Sequence, residues 1–359
     1  MTQVQTDRVQ RATRTRHNEL DVLRGTAIVF VVFLHAYFSA WDGAPAHEVF
    51  VMHAIHLFAQ GAVPVFLFVS GLLLAKSHGG SAADFAVRKL RRLYVPLLFW
   101  MIVALVYRMQ TEGGLSPTLV KSFLEFDISG QYYYLVVLLV LMVAFFAVAR
   151  TPWAGSAWIP AISFVANLVT IFYYQHSTVD GTFAILAYRN PLVWVFFFSF
   201  GFYAGRRWPD LAWTDRLLLP AAAAMVAIAA YYFISGETGE YPISYFGIDL
   251  YLFSCCAMVG YTALIRRLGR SSAAALLMEP FRRLSHYSFA IYLAHKPIFI
   301  VWLAGELIND GRFSHDYLEL MTALFIVGFV STLAFVVAVE RIAPWFAATF
   351  VGIEPEAEP

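Results

Sequence analysis

The chain has 359 residues, of which 60% are hydrophobic and only 14% charged, and its mean hydropathy is +0.65. A soluble domain is about 25% charged, so this composition excludes a folded protein without lipid around it. The formal net charge of +1 conceals a strong asymmetry along the chain, and no nucleic-acid partner is expected.

A helix needs about 20 mostly apolar residues to cross a bilayer. Runs of that kind occur about ten times, near 22–41, 54–75, 93–109, 132–149, 157–174, 190–205, 217–235, 246–265, 284–304 and 318–340. The run at 157–174 is interrupted by Pro160 and Asn167. No run reads as a cleavable signal peptide, because the first is long and lacks a small-residue cleavage site. No period of 20 to 50 residues recurs. Cys255 and Cys256 are adjacent in an apolar run and point apart on a helix, so neither a disulfide nor a metal site is expected. The expected fold is an all-α polytopic bundle of about ten transmembrane helices. Its parts are a basic N-terminal segment (1–20), a transmembrane domain (21–345) and an acidic, disordered tail (346–359) that contains Glu354, Glu356 and Glu358.

Lysine and arginine set the orientation. One side holds Arg8, Arg11, Arg14 and Arg16, then Lys76 and the 88–92 cluster, Arg206 and Arg207, and Arg266, Arg267, Arg270, Arg282 and Arg283. The opposite loops carry acids: Asp42, Glu48, Asp180, Glu237, Glu240, Asp310 and Asp316. Roughly 20 bases fall on the first side and roughly 4 on the second, which places both termini in the cytoplasm.

Ionisable residues at membrane depth are functional candidates. The first span contains Asp21, Arg24, Gly25 and His35. Eleven helical residues make three turns plus roughly 20°, so Arg24 and His35 share a face about 16 Å apart along the axis. Asp21 precedes Arg24 by one turn and orients it. Taken singly, Arg24 also suits a snorkelling anchor and His35 a helix–helix hydrogen bond. The second span ends in a Phe-rich run, Phe66 to Ser70-Gly71, whose small residues also suit close helix approach. Arg88, Lys89, Arg91 and Arg92 precede Pro96, and a basic cluster at a helix N-terminus suits either an anion or lipid headgroups. In the ninth span Ser288, Tyr292 and His295 follow i, i+4, i+7 on one face, with Lys296 beside them. Tyr132, Tyr133 and Tyr134 open the fourth span, where an interfacial belt also explains them.

In this order, these segments resemble acyltransferase family 3 of the membrane O-acyltransferases. The matching pattern is Asp-x-x-Arg-Gly with a histidine eleven residues on (Asp21, Arg24, Gly25, His35), then Phe66–Gly71. A basic motif before Pro96 follows, falling best on Lys89 and Arg92, although Arg88 and Arg91 fit the same spacing, and last comes Ser-x-x-x-Tyr-x-x-His at Ser288, Tyr292 and His295. Gln131-Tyr132-Tyr133 stands where many members have His-x-Trp. The resemblance implies acyl-CoA, usually acetyl-CoA, as donor substrate, with no tightly bound cofactor and no metal. It also implies a sugar, glycolipid or polysaccharide hydroxyl as acceptor, and a place in the cytoplasmic (inner) membrane.

On that reading His35, Arg24 and Asp21 form the catalytic set, with His35 as general base. Arg24, Ser70, Lys89 and Arg92 take the donor, and Tyr133, Ser288, Tyr292 and His295 take the acceptor. Direct transfer is favoured over an acyl-enzyme at Ser70, which lies on the cytoplasmic side of the predicted span. The alternative class is a secondary transporter or flippase for an anionic or sugar-linked substrate, which buried His and Arg also suit.

Overall fold

A computed structural model describes residues 3–37, 45–76, 81–177, 187–208, 210–234, 247–301, 306 and 317–353. Among the described residues the chain is helical throughout, with no strand. The helices are α1 (Gln3–Ala36), α2 (Ala46–Ala59), α3 (Ala62–Leu74), α4 (Ala82–Lys89), α5 (Val95–Thr111), α6 (Pro117–Leu124) and α7 (Tyr133–Val148), followed by α8 (Trp158–His176), α9 (Val195–Arg207), α10 (Leu218–Ile234), α11 (Ile248–Leu268), α12 (Ser272–Ala294) and α13 (Tyr317–Ile342). By length and composition, six stretches among them suffice to cross a membrane: His47–Leu74, Val87–Thr111, Gly130–Val148, Ala212–Ile234, Ile248–Leu268 and Leu318–Ile342. Six is fewer than the ten runs expected. The run near 157–174 is present as α8, but Asn167 and the polar end of that helix keep it out of the set.

Outward faces are apolar. Leu219, Val226, Ile162 and Val330 are all more than half exposed, while Asn167, Ser199, Thr262 and Thr332 are buried. The buried hydroxyls satisfy themselves within their own helices: Thr262 donates to the Met258 carbonyl at 2.7 Å and Thr332 to that of Gly328 at 2.6 Å. This is how a helix carries polar side chains where water is absent. Asn167 instead accepts the Phe196 N–H at 3.4 Å, an amide in the first turn of α9 with no partner inside its own helix.

Proline explains the breaks. The run expected as one span at 54–75 is two helices with a turn at Gln60 and Gly61. Pro64 has no N–H to offer the Gln60 carbonyl, so the α-ladder cannot run through it. Beside the break the Tyr261 hydroxyl donates to the Phe58 carbonyl at 2.7 Å. Pro96 acts similarly. The helix does not start there, but runs on from α4 through a widened π turn at Leu90–Tyr94. Its true start is capped by Ser81 and Asp84. The Asp84 N–H donates to Ser81 Oγ at 3.1 Å and the Ser81 N–H to the Asp84 carboxylate at 3.3 Å, a reciprocal capping box. The Ser81 hydroxyl also donates to that carboxylate, at 2.8 Å, and with the Ser81 N–H it holds the exposed Asp84 carboxyl below the usual carboxylate range.

The chain forms two compact units. The first comprises Met1–Ala27, Leu57–Gly79 and Val140–Ser285. Its seam is glycine-built. A Cβ on Gly71 would lie 2.1 Å from the Phe198 carbonyl oxygen, and one on Gly201 would lie 2.0 Å from that of Phe68, so α3 and α9 touch backbone to backbone. Gly25 does the same between α1 and α12, where a Cβ would lie 1.8 Å from the Phe281 carbonyl oxygen. Gly25→Ala must push backbone aside, because no flexible side chain is there to yield. Overpacking of this kind costs about 1–3 kcal/mol or more. The thermal midpoint in detergent should fall by several degrees, whereas Gly155→Ala, which meets nothing within 4 Å, should leave it unchanged. Equal midpoints for the two variants would remove the close-approach explanation of Gly25.

The second unit comprises Ile28–His56, Gly80–Leu139 and His286–Pro359. Here α13 packs on the segment after α12, with Phe335 meeting Phe299 and Trp100 edge-on or tilted at 5.7 and 6.0 Å. The stretch expected to begin a disordered tail at 346 is instead folded as far as residue 353. A helical turn over Ala347–Val351 buries Ala347, Val351 and Ile353 and sets Phe346 and Phe350 against Phe99. Gly352, at φ 92°, ends that turn in the left-handed region that glycine tolerates. The acids of the tail lie outside the described residues, as do Asp42, Asp180, Glu237, Glu240, Asp310 and Asp316 of the expected outer loops.

Candidate active site

The second unit holds His35 together with Tyr133, Ser288, Tyr292 and His295 of the expected acceptor side. The His35 ring stands 5.1 Å from that of His295, tilted by 38°. His295 is fully buried, and its Nδ1–H donates to the Ile291 carbonyl at 2.9 Å. That bond fixes the tautomer and leaves Nε2 as an acceptor. Nε2 is buried without a hydrogen-bond partner among the described residues. Tyr292 and Ser288 are also buried on α12, and Tyr133 is half-buried at the start of α7.

Proline again shapes the backbone. Past Ala294 the helix widens into a π turn, His295–Ile300. Pro297 offers no N–H to the Leu293 carbonyl four residues back, and the Tyr132 hydroxyl donates to that oxygen at 3.2 Å. The Tyr292 hydroxyl returns a bond to the Gln131 carbonyl. The short 3₁₀ turn Gly130–Tyr132 is thereby fastened to the helix that carries His295. Gln131 is buried, and its Oε1 accepts from Ser129 Oγ at 2.5 Å. Its Nε2 has no partner among the described residues.

A second group of rings includes His56, which acts electrostatically on His35. Tyr37 stacks on His56 at 4.1 Å and meets His53 Nε2 through its hydroxyl at 3.4 Å. His53 Nδ1 is anchored on the Val49 carbonyl at 2.9 Å. Both histidines are buried, and His56 is within electrostatic range of His35.

The expected donor residues are distributed differently. Lys89 ends α4 half-buried, with its ammonium 5.8 Å from the centre of the Phe85 ring, while Arg92 is exposed in the π turn. The cluster therefore lies inside continuous helix, where backbone N–H groups are already used. This corrects the expectation of a helix N-terminus, whose free N–H groups would assist an anion. Asp21, Arg24 and Ser70 belong to the first unit. Arg24 is 3.9 Å from Asp21, which also accepts a hydrogen bond from Ser285 Oγ at 3.1 Å. Ser70 is half-buried on α3, beside the glycine that seats α9.

The first unit also holds an ionic network that sequence spacing had marked only as basic. Arg266 pairs with Glu19 at 2.7 Å and with Asp215 at 3.3 Å, and donates to the Asp210 carbonyl. It borders a cavity of about 320 Å³ lined also by Asn18, Glu19, Met278 and Arg282. Burial pushes the Glu19 carboxyl above its usual range, and Arg266 opposes the shift.

A model of the family 3 acyltransferase domain matches residues 17–341. The chain belongs to acyltransferase family 3. It is also similar to a Bacillus subtilis (strain 168) protein provisionally named membrane-bound acyltransferase YfiQ. The two are 24% identical over 260 residues, covering 67% of this chain and 68% of the relative. No solved structure matches. This family 3 protein is accordingly an acyltransferase and an integral, multi-pass membrane protein.

Proposed function

We propose that the protein is an O-acyltransferase of the inner membrane, with ten spans and both termini in the cytoplasm. It moves an acetyl group from cytoplasmic acetyl-CoA to a hydroxyl of a sugar or glycolipid at the outer side. His35 is the general base. The observation that carries this reading is the pairing of His35 with a buried histidine whose Nδ1 is fixed on Ile291. A base acts from the neutral imidazole, whose free ring nitrogen takes the acceptor's proton. Lys89, Arg92 and Arg24 hold the donor phosphates on the face rich in bases. Tyr133, Ser288, Tyr292 and His295 hold the acceptor.

Membrane vesicles bearing the protein, supplied with radiolabelled acetyl-CoA, should transfer label to extractable glycolipid or polysaccharide. In the same vesicles, Lys89→Ala with Arg92→Ala should raise the KM for acetyl-CoA tenfold or more and leave kcat nearly unchanged. Each charge-assisted contact is worth about 1.5–3 kcal/mol. An unchanged KM with normal expression would assign these residues to lipid headgroups instead. No label transfer by the wild type would remove the acetyltransferase reading itself.

A further inference from the structure

The buried polar island in the second unit contains two side chains that the base mechanism leaves idle, Gln131 and Lys296. We propose that the Gln131 amide and the Lys296 ammonium together hold the oxyanion that forms on the thioester carbonyl during acyl transfer, an inference that rests on the function proposed above.

Gln131 is 2% exposed, and its Oε1 is taken by Ser129. The amide is thus oriented, and its NH₂ group is buried with nothing to bond among the described residues. Leaving such a donor unpaired is costly, because the buried group has given up its water. The turn that carries this donor is fastened to the helix of His295, and a ligand atom bound there would satisfy it. Lys296 comes to the same turn from the other side, its Nζ 3.5 Å from where a Cβ on Gly130 would stand. Asp127 is within electrostatic range of Lys296 and supplies its counter-charge. Lys296 is also within electrostatic range of His35.

The chemistry selects the ligand atom. Both groups are pure donors, so neither can take a proton from the acceptor hydroxyl. That proton moves to His35. The hydroxyl oxygen bonds to the thioester carbon, and the carbonyl π pair moves onto oxygen. On this path the carbonyl oxygen is where negative charge gathers, and donors in a water-poor site act most strongly on a developing charge. When the intermediate collapses the carbonyl re-forms, the C–S bond breaks, and the departing CoA sulfur recovers the proton from His35. No proton is gained or lost overall.

The test uses the full chain in vesicles with radiolabelled acetyl-CoA, comparing wild type, Lys296→Met and Gln131→Glu. Met keeps the length of lysine without its charge. Glu keeps the shape of glutamine but replaces its donor with an acceptor. Each variant should lose about 100-fold in kcat, the scale for one oxyanion donor, with the KM for acetyl-CoA within about twofold of wild type. Lys296→Arg should recover part of the loss. The thermal midpoints separate this outcome from unfolding, and should either variant fail to fold the other decides. A kcat within threefold of wild type, or a loss confined to KM, overturns the oxyanion assignment while leaving the acyltransferase reading intact. A wild type that transfers no acetyl overturns both.

Discussion

His35→Ala should lower the single-turnover rate of acyl transfer by about 10² to 10⁴, the usual span for loss of a general base, and should leave acetyl-CoA affinity within a few-fold. The reason lies in what His35 touches. Its ring neighbour is His295 at 5.1 Å, and His56, which stacks on Tyr37, lies within electrostatic range. The donor's polyanionic end requires cations, and the ammonium nearest His35 is Lys296, assigned above to the carbonyl oxygen. Binding and rate should therefore separate. Equilibrium binding of labelled acetyl-CoA measures the first, and rapid-quench transfer in vesicles measures the second. His35→Gln, which can hydrogen-bond but cannot act as a base near neutral pH, should be nearly as slow as His35→Ala. If it transfers at more than a tenth of the wild-type rate, His35 only positions the acceptor. A fall in donor affinity that accounts for the whole loss would make His35 a donor-binding residue.

Helical spacing is local, so neighbours along one helix were legible in the sequence. Asp21 and Arg24 at i,i+3, and Ser288, Tyr292 and His295 at i, i+4, i+7, hold their expected relations because each set stands on one helix. Partners across helices were not legible. Nothing in the sequence says that a proline at 297 frees a carbonyl for Tyr132, 161 residues away from that carbonyl. Gln131 was visible only as a departure from the family's His-x-Trp, and its role depends on that same docking. The helix start assigned to Pro96 failed for a physical reason. A π turn accommodates a missing N–H without ending the helix, while the actual N-terminal signal, Ser81 with Asp84 three residues on, stood about two turns upstream of Lys89. The positive-inside pattern counted Arg266 as one base among many. It could not show that Arg266 is buried against acids 51 and 247 residues away.

That burial makes Arg266 the position where a substitution should be most costly for stability. Its side chain is 11% exposed, and those of Glu19 and Asp215 are 12% and 18% exposed. Arg266→Met keeps much of the volume but strands Glu19 in a poorly hydrated place and leaves Asp215 to Arg270 alone. Breaking a buried pair in this way costs about 3–5 kcal/mol. The loss should also depend on pH, and the sign follows from Glu19. Burial already raises its carboxyl above the usual range in the folded protein, and the charge and hydrogen bond of Arg266 counter that rise. Without Arg266 the folded-state value moves further above the unfolded one. A group raised in this way is neutral and harmless below its unfolded value, and it withdraws stability as pH climbs through its folded value. The deficit of Arg266→Met against wild type should therefore be small near pH 5 and widen toward pH 8. Adding Glu19→Gln should recover part of the loss at pH 8 and little at pH 5. Thermal unfolding in detergent at three pH values measures this directly. A deficit that is flat or shrinks with rising pH would mean that Glu19 is not the acid left exposed to the cost, and would point to Asp215, which Arg270 also engages.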